Sequence, residues 1–154
     1  MLRRIIFYLG VAFLLGFAQK FLLDRLILYG AVPDIVLIWL VFIARREGQS
    51  LGTTLGFFIG LMMDLLHSTL GIDAFAKTIA GFAAGFFRER EGALGQQEFF
   101  TAVALASFVS TVAFYLVSFG IAMVWWKYVL AAVVSVCYNL LLGYVTQTLI
   151  LYRL

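Results

Sequence analysis

Charged residues cut this chain into long apolar runs. Ile5 to Ala18 carries no charge, and a helix from there can continue past Lys20 and Asp24 towards Leu28. A second run follows Pro33, from Asp34 to Ala44, and stops at Arg45-Arg46-Glu47. A third spans Leu51 to Leu66 and a fourth Ala74 to Phe87, each with one charge inside, Asp64 and Lys77. Phe99 to Trp126 and Tyr128 to Tyr152 contain none. A helix needs roughly 20 mostly apolar residues to cross a hydrocarbon core about 30 Å thick. The pattern therefore predicts an all-α integral membrane protein, a bundle of six transmembrane helices in a single domain over 1–154, with spans at about 5–28, 33–44, 51–66, 74–87, 99–124 and 128–151. The second to fourth are short and call for snorkelling ends or local bilayer thinning.

Inside the runs, small or polar residues return every fourth position. The third has Gly48, Gly52, Gly56, Gly60, Asp64 and Ser68; the fourth has Asp73, Lys77, Gly81 and Gly85. The fifth has Ala102, Ala106, Ser110 and Ser118, interrupted by Phe114, and the sixth Ala131, Ser135, Asn139, Gly143 and Gln147. Residues four apart share one helical face. In lipid, where apolar burial drives association little, small residues let backbones approach. These stripes read as helix-packing seams, or as a seam for another membrane protein. The face of Ser135, Asn139, Gly143 and Gln147 is the stranger one, since amides in lipid require partners. A neighbouring helix, a partner subunit and a buried ligand all satisfy that requirement.

Composition agrees with the pattern: 64% of the 154 residues are hydrophobic and 12% charged, against about 45–50% and about 25% in soluble domains. A soluble enzyme and a disordered chain are excluded on that ground. The net charge of +3 arises from eleven scattered Lys and Arg, with no basic stripe to track phosphates, so nucleic acid is no expected partner. Their positions carry topology. Arg3, Arg4, Arg45, Arg46, Arg88, Arg90 and Arg153 fall on the N-terminal side of a six-span chain. Lys20, Arg25 and Lys127 fall on the other, with Lys77 near it. Positive residues concentrate in the cytoplasm, so both termini of this multi-pass protein should be cytoplasmic. Trp125, Trp126 and Tyr128 then read as an outer aromatic belt, and the N-terminal segment as a signal anchor.

Candidate chemistry is sparse. Asp34, straight after Pro33, opens the second helix: proline suits the first helical turn, and a carboxylate meets the positive end of the dipole. Asp73 can cap the fourth helix likewise. Lys77 can pair with Asp64 across the short loop, or with Asp73 one turn back. Asp64 is also a candidate for a partner or gating role. His67, the single histidine, lacks a second ligand for a zinc site and reads as interfacial. Cys137, the single cysteine, allows no intrachain disulfide. Ser68 has no nucleophile-elbow context, and no phosphate-binding glycine loop occurs. No catalytic residue, metal site or cofactor is expected.

Pro33-Asp34 opening a span, then Gly56-Phe57, Gly60-Leu61 and Asp64, then Leu70-Gly71, then Gly81 and Gly85, resembles the bacterial rod shape-determining MreD family. The similarity covers about residues 33 to 87. The resemblance implies an inner-membrane subunit of the cell-elongation machinery, a scaffold without a reaction of its own. Such a subunit pairs with MreC and so helps link MreB filaments to the peptidoglycan polymerase RodA and its transpeptidase partner. It further implies likeness to the six-helix substrate-binding subunits of energy-coupling-factor vitamin transporters. The positions at stake are Pro33, Asp34, Gly56, Gly60, Asp64, Gly71, Gly81 and Gly85. Two other readings compete: a transporter's substrate-binding subunit with a pocket lined by Asn139, Gln147 or the tryptophans, and an ion channel, which needs polar residues through the full membrane depth. Oligomeric state and the contacting helices are left open.

Overall fold

A computed structural model describes residues 2–23, 25–27, 29–88, 96–119 and 125–149. Six α-helices account for most of them: α1 (Leu2–Ala18), continued by a π-helical turn at Gln19–Leu23, α2 (Ile35–Glu47), α3 (Gln49–His67), α4 (Ile72–Gly85), α5 (Gln96–Phe119) and α6 (Trp125–Leu149). The first helical segment ends at Leu23 rather than near Leu28, while Asp24, Leu28, Arg90 and Arg153 lie outside the described residues.

Successive helices run antiparallel, and polar contacts mark the two ends of the bundle. At the arginine end, the Tyr8 hydroxyl donates to Glu47 Oε1 at 2.7 Å and Arg45 Nε donates to the Phe87 carbonyl at 3.1 Å. Arg45 is buried there, over the Phe99 ring, so it serves the carbonyl end of α4 and is more than a topology marker. A cation suits that end because the last carbonyls of a helix lack internal partners. Asp34, His67 and Asp73 gather in the other half, which we term the aspartate end.

Four described helical segments are long and apolar enough to cross a membrane: Leu2–Leu23, Gln49–His67, Gln96–Ser118 and Trp126–Thr148. With 13 and 14 residues, α2 and α4 rise only about 20 Å. Their shortness has a structural reason. α2 touches all five other helices, and Val36, Leu37, Leu40, Val41 and Ile43 are no more than 1% exposed. A helix sheathed in protein need not match the lipid thickness, because its ends meet side chains instead of hydrocarbon.

The every-fourth-residue stripes turn inward over most of their length, with Ser68 exposed and Ser118 and Gln147 half-buried at their ends. Gly52, Gly56, Gly60, Asp64, Asp73, Lys77, Gly81 and Gly85 are buried, as are Ala102, Ala106, Ser110, Ala131, Ser135, Asn139 and Gly143. The α3 and α4 stripes meet as an antiparallel seam with Gln49 opposite Gly85, Gly52 opposite Gly81, Gly56 opposite Lys77 and Gly60 opposite Ala74. A methyl group on Gly52 would sit 2.9 Å from the Gly81 carbonyl oxygen, and one on Gly60 2.5 Å from that of Asp73. The backbones thus touch, and any side chain would force them apart. Gly10, by contrast, has open space.

Tyr128 departs from the expected aromatic belt. It is buried, its ring 5.5 Å from that of Tyr115, whereas Trp126 is exposed beside Lys127. The Trp125 side chain lies outside the described residues.

Candidate functional site

α2 begins in the interior of the bundle, so its free N–H groups need protein partners. Asp34 is its N-cap, with Oδ1 accepting from Leu37 N at 2.9 Å. Gln19 reaches from the π-helical turn that continues α1 to accept from Val36 N at 3.3 Å. Asn139 Oδ1 on α6 accepts from the backbone N–H of Asp34 at 2.8 Å, and its Nδ2 donates to Ser107 Oγ on α5 at 2.9 Å. Three helices therefore converge on one helix start. Since Ile35 opens the helix, Pro33 lies one residue before the cap and outside the first turn expected for it. The Asp34 N–H is engaged by Asn139, so the cap falls there and the proline precedes it.

Lys77 is fully inside the protein and donates to Asp34 Oδ2 at 2.6 Å, with Asp73 Oδ1 at 4.0 Å. Its closest partner is therefore Asp34 on α2 and not Asp64, because Asp64 is committed elsewhere. Asp64 Oδ1 accepts from Asp73 N at 3.0 Å and from Thr69 Oγ1 at 2.6 Å, and Oδ2 from Ala74 N at 2.9 Å. The carboxylate at the end of α3 thus caps the start of α4. It stands in for Gly71, the N-cap residue, which has no side chain to offer. Gly71 sits at φ 79°, the left-handed region that glycine enters without strain. Asp73 does not cap its own helix, contrary to expectation; its Oδ2 lies 3.1 Å from His67 Nδ1. His67 belongs to this network and not to an isolated interface.

Above the start of α2 lies a cavity of about 290 Å³, reached by Asp34, Lys77, His67, Ser110, Ser135 and Asn139. The segment at Gly30 borders it, held by the Tyr115 hydroxyl, which donates to the Gly30 carbonyl at 2.7 Å. The proposed polar face of α6 splits here. Ser135 and Asn139 line the cavity, while Gly143 packs against Phe99 towards the arginine end, with half-buried Gln147 beyond it. Among the described residues, neither Gln147 nor a tryptophan lines the cavity.

Gln19, Ser107 and Tyr115 escaped sequence reasoning. Gln19 had one legible signal, a lone amide closing an apolar run; Ser107 sits one residue off its stripe, and nothing local distinguishes Tyr115. Chemically, the network pairs charges and satisfies helix ends. The His67–Asp73 pair has no nucleophile aligned on it in the described contacts, Ser68 being exposed. Among the described residues no group of three His, Cys, Asp or Glu side chains is placed to hold a metal ion.

Long apolar helices, glycine-seamed packing and the pairing of Lys77 with Asp34 inside the bundle define a helical membrane protein. A family model described as rod shape-determining protein MreD matches residues 2–153. The chain belongs to the MreD family, among the proteins that determine rod shape. No curated protein and no solved structure matches it.

Proposed function

We propose that this protein is a non-catalytic inner-membrane scaffold subunit of the bacterial cell-elongation complex that binds MreC. Through MreC it helps connect MreB filaments with RodA and its transpeptidase partner, organising peptidoglycan synthesis. Family membership supports the setting. The observation that carries the scaffold reading is the internal use of polar groups: Asp34, Asp64, Asp73 and Lys77 are engaged with one another or with helix ends. We further propose six crossings with both termini cytoplasmic, in the manner of the energy-coupling-factor substrate-binding subunits. In support, the helices alternate in direction, and Arg4 at the start of α1 lies 4.0 Å from Glu47 at the end of α2.

With the glycine seam occupied by α3 and α4, the surfaces left for a partner are the outward apolar faces, such as Phe13, Phe57, Phe82 and Val133. Photo-crosslinkers placed singly at these positions in intact membranes, with mass-spectrometric identification of the captured proteins, test the reading. Capture of MreC is the expected result. Capture of an ATPase-coupled membrane subunit in its place would overturn scaffolding in favour of transport.

A further inference from the structure

We propose that the cavity at the aspartate end is a binding site for a small neutral or zwitterionic molecule bearing hydroxyl or amide groups. The argument starts from two hydroxyls. Ser110 and Ser135 line the cavity from α5 and α6, at 8% and 6% exposure. Neither has a hydrogen-bond partner among the described residues. Elsewhere in these helices the default is back-bonding: Thr53, Thr54, Thr78, Thr101, Ser118 and Thr148 each donate to the carbonyl four residues earlier. Each hydroxyl is therefore turned to the cavity and away from its own helix, where it can bond whatever occupies that space.

The charges around the cavity narrow the chemistry. Lys77 faces Asp34 and His67 faces Asp73, so each basic group already meets a carboxylate. A ligand with net charge would stand uncompensated in a poorly solvating interior, which costs several kcal/mol per ion in general. A molecule with balanced or no charge meets no such penalty. It can still use the two serine hydroxyls and the remaining donor capacity of the Lys77 ammonium. Phe114 and Tyr115 supply an apolar and aromatic wall. The volume of about 290 Å³ equals the share of roughly ten water molecules, enough for a single-ring compound. The mouth is bordered by Gly30, where φ is +83° and an added methyl would strike the Tyr115 hydroxyl. That close approach is what lets Tyr115 hold the rim.

The test uses the full chain purified in detergent. Native mass spectrometry looks for a retained small molecule, and thermal unfolding is followed with nicotinamide, L-serine and myo-inositol against citrate and spermidine. The expected result is a retained neutral species, or a rise of about 5 °C with at least one of the first three probes at saturation. The variants S110A and S135A, which remove the hydroxyl and add no bulk to the cavity, should fold and lose at least tenfold in affinity for that probe by equilibrium dialysis. The proposal is overturned if nothing is retained and no neutral or zwitterionic probe acts, or if the charged probes act equally. It is also overturned if the alanine variants bind unchanged. Loss of MreC recovery in S110A and S135A, with no small molecule bound by the parent, would overturn it by making the cavity a socket for protein.

Discussion

Replacing Asp64 separates a capping role from a partner-binding role. Asp64→Ala removes three hydrogen bonds, to Asp73 N, Ala74 N and Thr69 Oγ1. It leaves two backbone N–H groups at the buried start of α4, where Gly71 offers no side-chain acceptor. A hydrogen bond to a charged group contributes about 1.5–3 kcal/mol, and an orphaned buried donor costs about 1–3 kcal/mol. Because these terms overlap, the loss should be about 3–5 kcal/mol, at the severe end for a single substitution. At about 2–4 °C per kcal/mol for a chain of this size, the unfolding midpoint of the detergent-solubilised protein should fall by on the order of 10 °C. Asp64→Asn keeps one acceptor oxygen and should fall about half as far. Thr69→Ala in the Asp64→Ala background should add little, because the shared bond is already gone. An Asp64→Ala protein that melts within 2 °C of the parent yet no longer recovers MreC would refute the capping argument and return Asp64 to the partner interface.

Breaking the buried pair by Lys77→Met should cost about 3–5 kcal/mol by stranding Asp34, and Asp34→Asn in the same chain should restore at least half of the lost thermal stability. Gly60→Leu must displace the α4 backbone and should lower stability by about 3 kcal/mol or more; Gly10→Ala, with open space around it, should be neutral or stabilising by about 0.5–1 kcal/mol. Unchanged melting of Gly60→Leu would contradict the seam. For topology, in a Cys137→Ser background, Leu70→Cys should react with an impermeant maleimide from outside intact cells and Arg46→Cys only after lysis. Labelling of both from one side would contradict six crossings.

Much of the architecture was legible because lipid imposes strict rules on sequence. Helix positions followed from apolar runs between charges, since backbone polar groups in a bilayer must bond within the helix. The fourfold stripes foretold the buried faces, since residues four apart share a side of a helix and small ones allow contact. Asp34 as a cap was local information, carried by a carboxylate immediately before a long apolar run. Lys77 was correctly singled out as needing an anion, and Asp73 one turn back does lie 4.0 Å away, but the closest partner, Asp34, was missed. Sequence proximity favoured Asp64 or Asp73, and Asp34 is 43 positions away.

The sequence by itself thus determined the solvent, the helices and the inward face of each stripe, because these depend on local composition and periodicity. Tertiary structure alone decided that Asp64 caps α4, and that Gln19, Asn139 and Ser107 converge on the start of α2. It also decided that Tyr128 turns inward and that two serine hydroxyls border a cavity. Those outcomes depend on which helix lies beside which, and on how deep a short helix such as α2 begins within the bundle. Periodicity records that a residue faces inward; only the assembled helices determine what it meets there.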